Sequence, residues 1–448
     1  MKIKIAGAGA GKTTTMAEQI ISKQRELPLD KMIYAITFTN NAVSCISEKL
    51  KNYYGVIPEN IKVSTIHSFL YKEIINPYYY LLYGQQYEEI SDIKLSSIPK
   101  YKRFKISELE KKGTLHVSVF TERAKWVIVK KSKDRKEHLE KRKTLLKTFT
   151  KYCGQIFIDE AQDIDRHMID IIKAFNEASI PIELVGDPKQ DLKGFGSLRE
   201  VALQFPKQIE YINNCFRCPQ KHLKISNILV ADSEKQISNK VEGELEIKFE
   251  SEINVRELIC KEKYDLIYIS KKNDKYETNK KRQNDVQMEN LFYEIYQFLM
   301  ICKKTQNKSN IFMKKTAYYF STQLIKKFEI THNDTESMNE ISKYFQIDTK
   351  SYAKIINALK INEYDVNNKI AVQSIDRVKG QEGENCLFIL TKDLAPYLFG
   401  DKTADNKVKN KLYVALTRSL NKISILVSEE VESSYSKKFV LDYINSKI

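Results

Sequence analysis

The glycine-rich stretch at residues 6–13 constrains the fold of this chain more than any other feature of its sequence. It reads Ala-Gly-Ala-Gly-Ala-Gly-Lys-Thr, follows the apolar run Lys2–Ala6 and opens a helical pattern over Lys12–Gln24. Such a loop lets backbone N–H groups converge on phosphates, and the helix N-terminus adds its positive end. A plain Gly/Ala turn would explain the glycines but not the Lys-Thr pair, which suits a phosphate and Mg²⁺. We therefore predict a nucleotide-binding loop.

Short apolar runs alternate with helical patterns around this loop, which predicts a parallel sheet with crossover helices. The first set of runs comprises Met32–Phe38, Ile61–Thr65, Gln155–Ile158 and Ile182–Val185, with a helix at Asn41–Tyr54. A second set comprises Gln208–Ile212, Leu245–Phe249, Asp265–Ile269, Ile370–Gln373, Cys386–Leu390 and Lys422–Val427. The sequence thus predicts an α/β fold with two parallel-sheet cores.

Two stretches without this alternation predict a small, mainly helical insertion in each core. The first is basic, because Thr121–Lys151 carries 12 Lys or Arg against 4 Asp or Glu. The second contains the most apolar segment, Leu291–Cys302, which is too short to span a membrane and indicates a buried helix. The predicted limits are 1–74 and 151–207 for the first core, 75–150 for its insertion, 208–284 and 366–448 for the second core, and 285–365 for its insertion.

Net charge and cysteine content bear on the partner of the protein and on its cellular compartment. The net charge of +16 fits a polyanionic partner, but a lysine-rich composition throughout the chain would produce it as well. The seven cysteines show no disulfide framework, and Met1–Ile5 leads straight into the loop, which leaves no room for a signal peptide. We therefore expect a cytoplasmic protein. Cys215 and Cys218 form a lone CxxC, for which two reduced packing thiols are favoured over a zinc site.

Two carboxylates at the end of an apolar strand complement the loop. Asp159 and Glu160 follow Ile156–Ile158, at the edge where α/β sheets bind ligands. Asp159 would hold Mg²⁺ through water, and Glu160 would orient and deprotonate an attacking water. An acidic pair in this place is also a common helix N-cap. Together with Lys12, however, it indicates a nucleoside triphosphatase.

An ordered set of motifs resembles those of superfamily 1 helicases of the UvrD/Rep type. They are Ala35-Ile-Thr-Phe-Thr-Asn40, Ser64-Thr-Ile-His-Ser-Phe69, Asp159-Glu-Ala-Gln-Asp163, Gly186-Asp-Pro-Lys-Gln190, Phe216-Arg-Cys-Pro219, Ser374-Ile-Asp-Arg-Val-Lys-Gly-Gln-Glu382 and Tyr413-Val-Ala-Leu-Thr-Arg418. They fall in both predicted cores, whereas neither insertion carries a matching motif. The resemblance implies two RecA-like cores that bind ATP and Mg²⁺ between them.

The resemblance also implies roles for individual positions. Catalysis would fall to Lys12, Asp159, Glu160, Gln190, Arg217 and Arg418, with Gln190 sensing the γ-phosphate and the two arginines reaching it from the second core. ATP would be bound by Gly7, Ala8, Gly9, Ala10, Gly11, Lys12, Thr13, Thr14, Phe216 and Glu382, and Mg²⁺ by Thr13 and Asp159. Phe216 would stack on the base and Glu382 would accept from the ribose. Two alternatives stay open: Phe216 could pack in the core, and Arg418 could be a cation at the C-terminus of a helix.

Single-stranded DNA would cross the tops of both cores in this family. The matching positions are Thr37, Phe38, Thr65, His67 and Phe195, although core packing stays open as the less favoured alternative for Phe38, which ends a strand. Stacking on such aromatics tolerates any base sequence. The chain departs from the family pattern at Lys193, which replaces a Tyr, at Gly196, which replaces an Arg, and at Cys215 and Asp376. These departures bear on DNA grip and on coupling more than on hydrolysis.

The sequence as a whole predicts an ATP-dependent DNA helicase or translocase acting 3′–5′ on single-stranded or tailed duplex DNA. The alternative is a DNA- or nucleotide-sensing regulatory ATPase that activates a partner nuclease without processive unwinding. RNA as substrate also stays open. In size and motif style the chain resembles the helicase-like subunit of the Gabija phage-defence system, which implies antiviral defence and an OLD-family nuclease partner. The family's upstream glutamine segment finds no match before residue 6, which leaves adenine selectivity open.

Overall fold

The computed structural model of the chain describes residues 1–93, 95–240, 242–278, 283–331, 333–360 and 369–448. It separates into two compact units, Met1–Ser270 with Ile375–Ile448 and Lys271–Ser374. The strands are β1 Lys2–Ala6, β2 Met32–Thr37, β3 Ile61–Thr65, β4 Glu89–Ser91, β5 Thr114–His116, β6 Cys153–Ile158, β7 Ile182–Gly186, β8 Ile209–Ile212, β9 Glu244–Phe249, β10 Leu266–Ile269, β11 Tyr276–Glu277, β12 Ile370–Ala371, β13 Gln373–Ser374, β14 Gly383–Leu390 and β15 Ser419–Val427.

The helices of the first unit are α1 Lys12–Glu26, α2 Asn40–Tyr54, α3 Ile66–Phe69, α4 Asn76–Tyr83, α5 Pro99–Lys111, α6 Phe120–Ile128, α7 Lys136–Tyr152, α8 Arg166–Glu177, α9 Ser197–Gln204, α10 Gln220–Ser226, α11 Val255–Glu262, α16 Ile375–Val378, α17 Ala395–Leu398, α18 Lys407–Leu416, α19 Glu429–Glu432 and α20 Lys437–Asn445. Those of the second unit are α12 Gln283–Ile301, α13 Asn310–Thr331, α14 Asp334–Ser342 and α15 Thr349–Lys360.

The first sheet has the order β3-β2-β6-β7-β1-β8, and its strand pairs are parallel. Successive residues of β2 point to opposite faces, so Tyr34 and Ile36 enter one apolar core and Ile33 and Ala35 the other. Both faces are covered by helices, as a parallel sheet requires. The carboxyl ends of β1 and β6 lead directly into the glycine-rich loop and the acidic pair.

The second sheet of the first unit pairs its strands in the order β10-β14-β15-β9, again in parallel. Its apolar residues form a core with α10 and α18, in which Phe388, Val414 and Ile425 are fully buried. The α/β fold with two parallel-sheet cores that the sequence predicts is therefore confirmed.

Two strand assignments from the sequence are wrong. The sequence places the run Gln208–Ile212 in the second sheet, but β8 pairs with β1 at the edge of the first sheet. The run predicted at Ile370–Gln373 splits, and its first part, β12, pairs with β11 instead of extending the second sheet. Apolar composition predicts that a strand exists, whereas its partner is decided by contacts far away in the sequence.

The basic insertion at 75–150 packs on the first core as part of it. Leu82, Phe120 and Leu145 share one apolar cluster with residues of β1, β2 and β6. The second unit holds its own core, built from α12 to α15 around Leu291, Phe320, Ile341 and Ile355. That unit, Lys271–Ser374, is wider than the predicted insertion at 285–365.

Candidate nucleotide site and nucleic-acid face

The glycine-rich loop adopts a geometry that only glycine tolerates well at two of its positions. Gly9 and Gly11 have φ angles of 69° and 71°, in the left-handed region. A Cβ added to Gly9 would lie 2.4 Å from the Cβ of Arg217, so the loop touches the second core closely. Lys12 Nζ donates to the carbonyl oxygens of Ala6, at 3.3 Å, and Gly7, at 3.2 Å. The Lys12 ammonium group therefore lies against the loop whose bound phosphates it would contact.

The acidic pair lies next to the loop. The Thr13 hydroxyl donates to Asp159 Oδ2 at 3.2 Å, and the Asp159 side chain is almost fully buried. Burial, followed by repulsion from Glu160, raises the pKa of Asp159 to about 6. A buried carboxylate beside a hydroxyl is an oxygen donor pair of the kind Mg²⁺ takes, and a cation would offset the cost of burying the charge. Thr13 and Asp159 therefore fit the metal predicted for them.

Gln190 belongs to a buried polar network behind the acidic pair. Its Nε2 donates to Asp187 Oδ2 at 2.9 Å. The ammonium of Lys189 pairs with Asp187 at 3.0 Å and with Glu234 at 2.8 Å. Because buried charges are costly unless they are paired, this network holds Gln190 in one orientation.

The second core contributes four of the predicted residues. Phe216 is 74% exposed, so core packing is excluded for it and its ring is accessible for stacking. Arg217 Nε donates to Glu382 Oε2 at 2.6 Å. This bond occupies the carboxylate that is expected to accept a hydrogen bond from the ribose hydroxyl. Arg418 is buried, and its guanidinium donates to Val414 O at 2.9 Å, in the last turn of α18. Burial, followed by repulsion from Arg217, lowers the pKa of Arg418.

A pair of residues that sequence reasoning missed connects the glycine-rich loop to the second core. Ala8 N donates to the Tyr413 hydroxyl at 3.2 Å, and Gln236 Nε2 donates to Ala8 O at 3.0 Å. The Tyr413 hydroxyl in turn donates to Gln236 Oε1 at 2.8 Å. Tyr413 belongs to the motif Tyr413–Arg418, but the resemblance gives it no role. Gln236 lies outside every recognised motif. We call this arrangement the Tyr413–Gln236 clamp.

Most of the predicted nucleotide residues line one cleft of about 420 Å³. The structure brings together in it Gly9, Ala10, Gly11, Lys12, Thr13, Thr14, Glu160, Gln190, Phe216, Arg217, Glu382 and Arg418. Gly7, Ala8 and Asp159 lie just behind this lining rather than on it. Residues of both cores therefore face the same space, as hydrolysis of a nucleotide between them would require.

The predicted DNA-binding residues divide into an accessible and an inaccessible group. Phe195 is 49% exposed and Phe38 is half-buried, and the Lys193 ammonium lies 5.6 Å and 5.0 Å from their ring centroids. His67 is exposed, with its ring 5.7 Å from that of Phe120. Thr37 and Thr65 are less accessible to a DNA strand. Thr37 is fully buried, and the Thr65 hydroxyl accepts from Ser68 N at 3.3 Å as the N-cap of α3.

The chain is similar to a known domain family and to a known protein. Residues 1–196 match the AAA domain family. The chain is 26% identical over 276 residues to the Gabija protein GajB of Bacillus cereus (strain VD045). The resemblance predicted from the motifs is confirmed. The match covers 57% of this chain and 52% of that protein, so the similarity extends over about half the length of the relative.

The matched part of the chain contains both segments predicted to bind the nucleotide and its metal. Within residues 1–196, the glycine-rich loop follows β1 and the acidic pair follows β6. None of the helices in the described ranges is long and apolar enough to cross a membrane.

Proposed function

We propose that this protein is an ATP-hydrolysing motor that moves 3′–5′ along single-stranded DNA. The observation that carries the proposal is the cleft lined jointly by Lys12 and Glu160 of the first core and by Arg217 and Arg418 of the second. A site completed by two cores links hydrolysis to their relative movement. The AAA-type domain and the similarity to the Gabija protein GajB support the ATPase part of the proposal.

Hydrolysis would proceed by attack of water on the γ-phosphorus. Glu160 takes the proton of the attacking water while the bond from the γ-phosphorus to the ADP oxygen breaks. Negative charge spreads over the phosphoryl oxygens, where Lys12, Arg217 and Arg418 stabilise it. An arginine in this role is typically worth about 10³–10⁵ in rate. Mg²⁺ held by Thr13 and Asp159 would neutralise phosphate charge.

The ion pair between Arg217 and Glu382 adds a switching step. Its 2.6 Å contact keeps the Arg217 guanidinium on a carboxylate of its own core. A bound nucleotide offers phosphate oxygens to the arginine and a ribose hydroxyl to the glutamate, so that both charges exchange partners together. Binding of ATP would thereby tighten the cleft.

Two features support DNA as the track. Phe38, Lys193 and Phe195 place a cation between two aromatic rings, a combination that serves the bases and phosphates of a single strand. Separately, a cavity of about 840 Å³, formed mainly by the basic insertion, is lined by two acidic residues, Glu122 and Asp134, and by seven cationic ones, Lys125, Lys130, Lys131, Lys133, Arg135, Lys136 and Arg142. Positive charge on this scale attracts the nucleic-acid backbone.

The first test is ATP hydrolysis with and without a single-stranded oligonucleotide, with Lys12→Ala as the blank. We expect hydrolysis that DNA stimulates and that the variant loses. Matched RNA oligomers decide between the two nucleic acids. A low rate that neither oligomer changes would contradict a motor that works alone.

A second candidate function is a regulatory ATPase that switches a partner nuclease without processive unwinding. The burial of Thr37 and the Lys193 substitution favour it, because both alter the DNA contacts expected of a translocase. Displacement of a strand from a 3′-tailed duplex separates the two functions, since only the motor unwinds it. A nuclease partner, a role in antiviral defence and a cytoplasmic location remain predictions, and co-purification with a candidate OLD-family nuclease would test the first of them.

A further inference from the structure

The two cysteines of the CxxC pair flank the residues that face the nucleotide. Cys215 and Cys218 enclose Phe216 and Arg217, and both are free thiols. The Cys218 backbone N–H donates to Cys215 Sγ at 3.3 Å, which places the first sulfur inside the turn. A Cβ on Gly9 would lie 3.1 Å from the same sulfur, so Cys215 also touches the glycine-rich loop. Neither thiol has a part in the hydrolysis described above.

The two thiols are both buried, but they differ in their surroundings and in acidity. Cys215 is 3% exposed and lines a small pocket of about 180 Å³ with Phe216 and Ser238, whereas Cys218 is fully buried and lines no described pocket. A hydrogen bond from the Cys218 thiol lowers the pKa of Cys215 to about 6, and the same bond, together with burial, raises the pKa of Cys218. An acidic first cysteine beside a pocket and a less acidic, fully buried second one are the division of roles that CxxC redox pairs use.

We propose that Cys215 and Cys218 are a redox-active dithiol, a modification site at which oxidation to an intramolecular disulfide inhibits the ATPase. The inhibitory part rests on the proposed function, whereas formation of the disulfide does not. The oxidant is a low-molecular-weight disulfide such as oxidised glutathione.

The reaction is a thiol–disulfide exchange in two steps. The Cys215 thiolate attacks one sulfur of the oxidant, forms a mixed disulfide and releases one small thiolate. Cys218 then loses its proton and attacks Cys215 Sγ, which forms the Cys215–Cys218 bond and releases the second small thiolate. Two protein thiols are oxidised while one external disulfide is reduced to two thiols.

Oxidation would affect hydrolysis because the disulfide closes a ring that contains Phe216 and Arg217. Phe216 N donates to Gly9 O at 2.8 Å, and Arg217 holds Glu382 at 2.6 Å. Drawing the two sulfurs to bonding distance shifts the backbone between them, which displaces the stacking ring and the arginine together. We expect ATP hydrolysis to fall at least about tenfold, since an arginine of this kind typically contributes far more than that.

The experiment equilibrates the full chain in buffers of increasing oxidised-to-reduced glutathione ratio, then traps free thiols and measures intact mass and ATP hydrolysis. We expect a species lighter by two hydrogens that forms in parallel with the loss of hydrolysis, and recovery of both after dithiothreitol. Cys218→Ser should accumulate a mixed disulfide with glutathione at Cys215, and Cys215→Ser should form neither product. Cys260→Ser, which changes an exposed cysteine, is the matched control and should form the Cys215–Cys218 disulfide and lose hydrolysis as the wild type does.

The outcomes separate this inference from the proposed function. Absence of the Cys215–Cys218 disulfide at every glutathione ratio overturns the inference, and so does a disulfide that leaves hydrolysis unchanged. If the reduced chain hydrolyses no ATP, the proposed function fails, while the mass measurement still decides whether the dithiol forms. Binding of a fluorescent ATP analogue then replaces hydrolysis as the readout of the inhibitory effect.

Discussion

Lys193 is the residue at which this chain departs most informatively from the motif pattern that it resembles. Its ammonium lies 5.0 Å from the ring centroid of Phe38 and 5.6 Å from that of Phe195. The expected tyrosine would add a third stacking surface, whereas a lysine adds a charge for the phosphate backbone. The two kinds of contact respond differently to salt, because only ionic contacts release counterions.

We therefore predict different signatures for Lys193→Ala and Phe195→Ala. Lys193→Ala should weaken binding to a single-stranded oligonucleotide and lower the salt slope by about 0.7. Phe195→Ala should cost about 1–3 kcal/mol of binding free energy without changing the slope. Fluorescence anisotropy over a range of salt concentrations measures both quantities. The matched control is Lys207→Ala, an exposed lysine elsewhere on the first core. Equal slopes for all four proteins would show that Lys193 does not contact the backbone.

Tyr413 allows a test of the Tyr413–Gln236 clamp with the removal of a single oxygen atom. In Tyr413→Phe, the Ala8 N–H and Gln236 Oε1 lose their partner in a buried place, which costs about 1–3 kcal/mol. Because Ala8 belongs to the glycine-rich loop, we expect ATP binding to weaken about tenfold, as a loss of about 1.4 kcal/mol would give. Titration with a fluorescent ATP analogue measures it.

The control for this substitution is Tyr296→Phe, which removes a hydroxyl bonded at 2.7 Å to exposed Asn310. It should leave both nucleotide affinity and thermal stability unchanged. If Tyr413→Phe binds ATP as the wild type does, the clamp supports folding alone.

His222 forms a hydrogen bond between α10 and β9 of the second core, and its protonation makes the stability of the protein depend on pH. It lies on α10, and its Nε2 contacts Glu244 O, at the start of β9, at 2.8 Å. Burial lowers the pKa of His222 from 6.5 to about 4. The folded state therefore binds this proton less readily than the unfolded state. The contribution of neutral His222 to the free energy of unfolding is fully present above about pH 6.5 and is lost as the pH falls towards 4. The loss amounts to about 3 kcal/mol.

We predict that this loss disappears in His222→Gln, which keeps an amide donor for Glu244 O and has no proton to gain. Urea unfolding at pH 7 and pH 4.5 measures the difference for both proteins. The exposed His67 is unsuitable as a control because it lies on the proposed DNA face, so the wild type at pH 8 provides the reference. An unchanged pH dependence in the variant would assign the loss to other groups.

The elements show why some of this structure was predictable and some was not. β1, β2, β3, β6, β7 and β14 follow from short apolar runs, and the glycine-rich loop follows from its spacing, because both signals are local. β8 was assigned to the wrong sheet since its pairing with β1 joins residues about 200 positions apart. Gln236 was missed for the same reason, because it reaches Ala8 across 228 positions. Local patterns predict elements and motifs, whereas long-range partners need the folded chain.

The two cores of the first unit meet through contacts that lie outside the nucleotide cleft. Lys379 Nζ pairs with both carboxylate oxygens of Asp163 at 2.8 Å. Asn410 Nδ2 donates to Pro188 O at 3.4 Å and to Asp191 O at 3.0 Å. Asp163 closes the acidic motif of the first core, and its carbonyl accepts from Lys193 Nζ at 3.4 Å. The ion pair therefore stands between the cleft and the proposed DNA face.

We predict that breaking this ion pair uncouples DNA binding from hydrolysis. Burial raises the pKa of Asp163, although Lys379, whose ammonium contacts both carboxylate oxygens, opposes the shift. Asp163→Asn leaves a mostly buried ammonium without its charge partner, and we expect DNA stimulation of hydrolysis to fall about tenfold, a coupling of about 1–3 kcal/mol. Hydrolysis without DNA should change little, because Asp163 does not line the cleft. Asp232→Asn, which removes an exposed ion pair with Lys235 inside the second core, is the control.

A double-mutant cycle with Lys379→Met decides whether the pair itself carries the coupling. If it does, the double variant loses no more stimulation than either single variant, because the interaction can be lost only once. Losses that add would mean that each residue acts through separate neighbours. Such a result would leave the cleft as the place where the two cores communicate, so that closure around the nucleotide would itself have to transmit the DNA signal.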